Sequence, residues 1–133
     1  MVQGSGDANA LGIMKFVFSN KYSVYLHDTN QRYLFGSAMR SLSHGCVRVQ
    51  DWEKLALYIL RSDSINTAAG SYSKIDSMQS WLQQKQKKRI TVQNKIPVYI
   101  RYFTCEGQKG GVVFYDDIYN EDKFLREKYF ASK

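Results

Sequence analysis

The stretch "SLSHGCVRVQDWEKLALYILRSD", residues 41–63, sets two kinds of order side by side. In its second half Trp52, Leu55, Ala56, Ile59 and Leu60 fall at i, i+3, i+4, i+7 and i+8, one apolar face of a helix. Asp51 suits the N-cap and Glu53 the positive end of the first turn. The first half has no period. It places His44, Gly45 and Cys46 consecutively in a chain with only two histidines and two cysteines. Two readings stand at this point: a turn that feeds a helix, or a nucleophile and its surroundings.

Upstream, "IMKFVF" (13–18) and "YSVYLHD" (22–28) flank a short "SNK" turn and read as a strand pair. Alternation points Tyr22, Val24 and Leu26 one way and Tyr25 and His27 the other. Residues 1–12 read as a lead-in loop and 29–45 as a long ordered one. Downstream, Ser-, Asn- and Gly-rich residues 62–73 form a linker, and a polar helix is expected over 75–88 with Ile75, Met78 and Leu82 inward. "RITV" and "VYIRYFTC" read as strands, with Pro97 at a strand start. "EGQKGG" is a hairpin turn, "VVFYDD" its return strand, and a last helix spans 121–131 with Phe124, Leu125, Lys128 and Tyr129 along one side. The class is α+β: a mostly antiparallel sheet core with flanking helices. One domain over 1–133 is expected, with a core at 9–60, a linker and polar helix at 61–95, and a hairpin and C-terminal helix at 96–133.

The bulk numbers agree with a folded domain. The 133 residues are 44% hydrophobic and 14% aromatic, which excludes disordered and fibrous classes. The net charge of +7 favours anionic surroundings. Much of it lies in "KQKKR" (85–89), read as a solvated helix end, and no nucleic-acid motif accompanies it, so no nucleic-acid partner is expected. "DDIYNED" (116–122) reads as an acidic turn capping the last helix rather than a cation site. Cys46 and Cys105 suffice for one disulfide, although a chain of this size needs none, and Cys105 reads as a small buried hydrophobe in a strand. No secretory signal is recognisable in "MVQGSGDANALG".

A nucleophilic cysteine needs a base or a positive field to hold its thiolate, and backbone donors for the developing oxyanion. Gly45 permits close approach of the backbone, and the amides of Gly45 and Cys46 are natural oxyanion donors. Arg48 adds positive potential or a partner for a substrate carboxylate. Tyr25, on the His27 side of its strand, can line the pocket.

The second histidine joins these features. "YLHDT", fifteen intervening residues (28–42), then "SHGC" resembles the signature of the YkuD-like L,D-transpeptidases. There a histidine precedes a Ser/Thr-His-Gly-Cys block by about 14 to 17 residues. "NALG", "VYLHDT", "LSHGCVRVQD" and "VYIRYFTC…VVFYDDIY" are similar to the YcbB-type branch, over residues 9–60 and 96–120. The stretch between carries no matching motif and is expected to be a branch-specific connection.

The resemblance implies a bacterial envelope enzyme, periplasmic, with peptidoglycan tetrapeptide stems as substrate and no metal or cofactor. It implies Cys46 as nucleophile, His27 as proton acceptor and donor, His44 shaping the oxyanion and substrate pocket, and Ser43 supporting the catalytic histidine. Sequence physics does not separate the roles of His27 and His44. Family members often carry Asn where this chain has Arg48. Carbapenem-type inhibitors are expected to acylate the same thiol. The family's catalytic domain normally begins with several strands upstream of this segment, and the YcbB branch adds a capping subdomain, so this chain is expected to be the C-terminal part of a longer exported, membrane-anchored protein. Two rivals are an inactive wall-binding fragment and a carboxypeptidase using the same site. A zinc site from His27, His44, Cys46 and Cys105 is disfavoured, because His-x-Cys is tight for two tetrahedral ligands.

Overall fold

Alternation over "MKF" turns Met14 and Phe16 inward and Lys15 outward, and this short run is the first strand of the fold. A computed structural model describes residues 9–41, 43, 45–65 and 72–130. They form two compact units, Met1–Ile96 and Pro97–Lys133. In the first, β1 (Lys15–Phe16) pairs antiparallel with β2 (Leu26–His27), which pairs parallel with β3 (Val47–Arg48). The helices α1 (Trp52–Ile65) and α2 (Tyr72–Gln83) follow.

The α+β class holds, whereas the mostly antiparallel sheet holds only in part. Joining β2 to β3 in parallel requires a crossover of a dozen or more residues. The loop after His27 supplies it and contains a 3-10 helix, Arg32–Gly36. The expected strands at 13–18 and 22–28 are shorter because Asn20 takes over part of their ladder. Its side-chain amide donates to the carbonyls of Phe18 and Val24 (3.0 and 2.7 Å), and its Oδ1 accepts from the N–H groups of Tyr22 and Val24 (3.1 and 3.0 Å).

The core lies between the sheet and the two helices. Ala56, Leu60 and Met78 are its buried centre, with Met14, Phe16, Leu57, Ile75, Leu82 and Ile90 packed around them. Burying a side chain such as Met78 contributes roughly 1.5–3 kcal/mol. The buried stripe of α1 is Trp52, Ala56, Leu60 and Asp63, so an acid completes an otherwise apolar face. Asp63 is fully enclosed. Its carboxylate accepts from Lys74 Nζ (2.8 Å) and from the backbone N–H groups of Gln93 (2.8 Å) and Asn94 (2.6 Å).

This carboxylate explains why the expected strand at "RITV" is absent: Asp63 ties down the N–H groups that follow it, and the Thr91 carbonyl receives Lys74. Asp63→Ala is expected to lower the unfolding free energy in urea by about 3–5 kcal/mol, because it strands a partly buried ammonium and two amides. The Lys74 bond, then the Asn94 and Gln93 amides, hold the Asp63 acid below its ordinary value despite burial. The native state therefore binds that proton less readily than the unfolded chain. The stabilisation is complete above about pH 4, the unfolded carboxylate value, and fades as the pH falls below it.

The α2 helix ends at Gln83, short of the expected 88, in a Schellman motif. Gln86 N–H reaches the Trp81 carbonyl (2.9 Å), Lys85 N–H reaches Leu82 (3.1 Å), and Lys85 takes the left-handed conformation at φ +52°. The α1 helix conversely runs four residues into the expected linker, through Ile65; residues 66–71 lie outside the described residues.

In the second unit β4 (Cys105–Gln108) and β5 (Gly111–Phe114) form an antiparallel hairpin, followed by α3 (Glu121–Tyr129). The strand expected over 98–105 begins only at Cys105. Cys105 is exposed, not buried as expected, and both cysteines are free thiols. The hairpin has no apolar layer over it within its own unit, which leaves even Val112 and Phe114 exposed. The acidic turn does cap the last helix: the Asp117 carboxylate accepts from the N–H groups of Glu121 (2.9 Å), Asp122 (3.0 Å) and Lys123 (3.1 Å). Among the described residues no helix is long and apolar enough to cross a membrane.

Candidate active site

Side chains of paired strand residues share a face, and residues two apart on one strand share it too. Lys15 pairs with His27, and His27 pairs with Arg48. One step before the Leu26–Val47 pair, Tyr25 lies beside Cys46; the Val47 N–H donates to the Tyr25 carbonyl (3.1 Å) and the Val49 N–H to that of His27 (2.8 Å). A single sheet face therefore carries Lys15, Tyr25, His27, Cys46 and Arg48. The opposite face, through Phe16, packs on the core.

His27 is buried, and its ring orientation is determined. Nδ1 bonds the backbone carbonyl of Asp28. A carbonyl only accepts, so Nδ1 carries the hydrogen in the neutral ring and Nε2 keeps the lone pair. The Tyr25 ring meets the imidazole edge-on, with centroids 5.8 Å apart. The half-buried Tyr25 lies beside Cys46 in the register, and its pKa is held above the ordinary tyrosine value, first through burial and then through the neighbouring Cys46. The phenol thus stays protonated beside the sulfur's strand. The Lys15 ammonium sits over the other side of the site, 3.5 Å from the Tyr25 ring centroid.

The Cys46 turn is closed by Ser43, whose Oγ donates to the Cys46 carbonyl at 2.6 Å. Gly45, between them, has φ +142°, a backbone shape that other residues rarely adopt, and a Cβ there would press on Val24 at 3.2 Å. Cys46 and Arg48 are half-buried. His44 lies outside the described residues.

Two residues that the sequence reading did not single out hold this arrangement together. Asp28, buried beside His27, accepts from the Ile13 N–H (2.9 Å) through Oδ2 and from Arg32 (3.0 Å) through Oδ1. It packs so closely against Gly12 (φ +62°) that a Cβ there would lie 2.3 Å from Oδ2. Arg32 also donates to the Gln50 carbonyl (2.9 Å), tying the start of the crossover to the segment after β3. The signal was available in "HDTNQR": a strand-end acid with an arginine four residues on. What sequence withheld was the burial.

Against this geometry stand two comparisons. The family model of the YkuD L,D-transpeptidase catalytic domain matches residues 2–100. It includes the stretch 61–95, which the motifs alone left as a branch-specific connection. A Haemophilus influenzae protein named "Putative L,D-transpeptidase" is 33% identical over 121 residues, which is 91% of this chain and 23% of that protein. The chain thus spans under a quarter of the relative's length. With the family model covering well over half of its residues, the chain belongs to the YkuD L,D-transpeptidase catalytic-domain family.

Proposed function

We propose that this chain carries the acyl-transfer site of a peptidoglycan L,D-transpeptidase, with Cys46 as nucleophile and His27 as general base and acid. The observation that carries the reading is the shared sheet face, on which a half-buried thiol stands one strand away from an imidazole whose Nε2 is left as the acceptor.

The chemistry follows from those atoms. Nε2 of His27 takes the Cys46 proton, and Sγ attacks the carbonyl between the diamino acid at the third stem position and the terminal D-alanine. The amides of Gly45 and Cys46 receive the oxyanion, in a turn whose shape Ser43 and the Gly45 backbone set. Nε2–H returns its proton to the departing D-alanine amine, leaving a thioester. A side-chain amine of a neighbouring stem, relieved of its proton by Nε2, attacks the thioester and forms a 3→3 cross-link; Cys46 leaves as the thiol. By the family resemblance His44 has the role of shaping the oxyanion and substrate pocket, and Arg48, on the His27 side, meets a stem carboxylate. The net positive charge suits an acidic wall polymer in the envelope.

The test is product analysis by mass spectrometry after incubation with disaccharide-tetrapeptide. Free D-alanine together with a cross-linked dimer is the expected result. Tripeptide without dimer would reassign the site to a carboxypeptidase, and unchanged tetrapeptide with folded chain would match an inactive wall-binding role.

A further inference from the structure

Lys15 belongs to no motif of the sequence, yet it is the residue that register places opposite His27. Its ammonium is 3.5 Å from the centroid of the Tyr25 ring, close for a cation over an aromatic face. The same ring approaches His27 edge-on, and register sets Tyr25 beside Cys46 on the neighbouring strand. The charged and titratable residues that share the sheet face with Cys46 are then Lys15 from β1, Tyr25 and His27 from β2, and Arg48 from β3.

We propose that Lys15 is a positioning residue for the nucleophile, acting through Tyr25: it pins the ring and strengthens its hydroxyl as a donor to the Cys46 thiolate. A cation over the ring face draws electron density from the ring and so from the phenolic oxygen. The O–H becomes a stronger donor, and a donor aimed at sulfur favours the charged nucleophile over the neutral thiol. Lys15 is exposed, so its own charge is largely solvated and screened, and the ring is the route by which it reaches the sulfur.

The inference rests on Cys46 as nucleophile but not on the identity of the acyl acceptor, and its test reads the thiol without substrate. The chain carrying Cys105→Ser leaves Cys46 as the only thiol, and its alkylation by iodoacetamide is followed by intact mass across pH 5 to 10. Lys15→Met is expected to slow alkylation at pH 7 by about threefold, the scale of an exposed cation–π contact. Lys15→Arg keeps the native profile, because a guanidinium also stacks on the ring. Tyr25→Phe keeps the ring and loses the hydroxyl; it slows alkylation, and adding Lys15→Met to it changes nothing further.

A native profile for Lys15→Met would overturn the proposal. So would an equal loss in Lys15→Arg, which would make the effect one of shape. An undiminished Lys15→Met effect on top of Tyr25→Phe would assign the action to direct charge rather than to the ring. A shifted profile in a chain that forms no cross-links would uphold this role for Lys15 and count against the transpeptidase reading alone.

Discussion

Cys46→Ala is expected to leave a folded chain with no acyl transfer, a loss of at least about four orders of magnitude in turnover. The size follows from the chemistry: no other described side chain on the sheet face can form the thioester, and positioning without a nucleophile retains only a residue of rate. The fold should persist because the substitution removes one atom from a half-buried position. Half-buried Tyr25 keeps its contacts with Lys15 and His27. Cys105→Ser supplies the control. That thiol is exposed on the hairpin of the second unit, and its loss should leave turnover unchanged. Release of D-alanine, compared among the three chains, is the measurement.

His27→Gln is expected to lower kcat/KM by about a hundredfold to ten-thousandfold, the range of a lost general acid–base. Glutamine is the informative choice, because its amide can still donate to the Asp28 carbonyl that now orients the imidazole, while offering no titratable lone pair. Acylation should slow far more than substrate binding weakens, so kcat should carry most of the fall. The packing cost is smaller. His27 is only 4% exposed, and losing the edge contact to Tyr25 should reduce stability by about 0.5–1.5 kcal/mol. A thermal melt run beside the kinetics separates the two effects. Loss of fold with normal specific activity in the folded fraction would remove His27 from the mechanism.

What the sequence made legible was whatever depended on local periodicity. The α1 helix was readable because Trp52, Ala56 and Leu60 repeat on one stripe, and Tyr25 and His27 shared a face by simple alternation. The histidine-to-block spacing was recognisable as a pattern, and its physical basis emerged only with the fold: it is the length of a parallel crossover from β2 to β3, tied at both ends by Arg32.

What was hidden depended on partners distant in the chain. Nothing near Asp63 announces that it will bond Gln93 and Asn94 and so suppress a strand that "RITV" favours by propensity. The end of α2 was misplaced because a lysine, not a glycine, occupies the left-handed position of its Schellman motif. Lys15 was invisible as a site residue because its place opposite His27 depends on strand register, which no single-strand pattern encodes. Cys105 misled in the opposite direction, since a strand position does not by itself supply a covering layer.

The central claim is that Cys46 becomes covalently acylated on this sheet face. Intact mass after brief exposure to a disaccharide-tetrapeptide whose side-chain amine is acetylated, so that it can donate but not accept, is the direct test, beside the Cys46→Ala chain. One adduct is expected, with the mass of that donor less D-alanine, located on the peptide that contains residues 43–48 and absent from the alanine chain. A folded native chain that gains no mass, or an adduct that survives in Cys46→Ala, would contradict it.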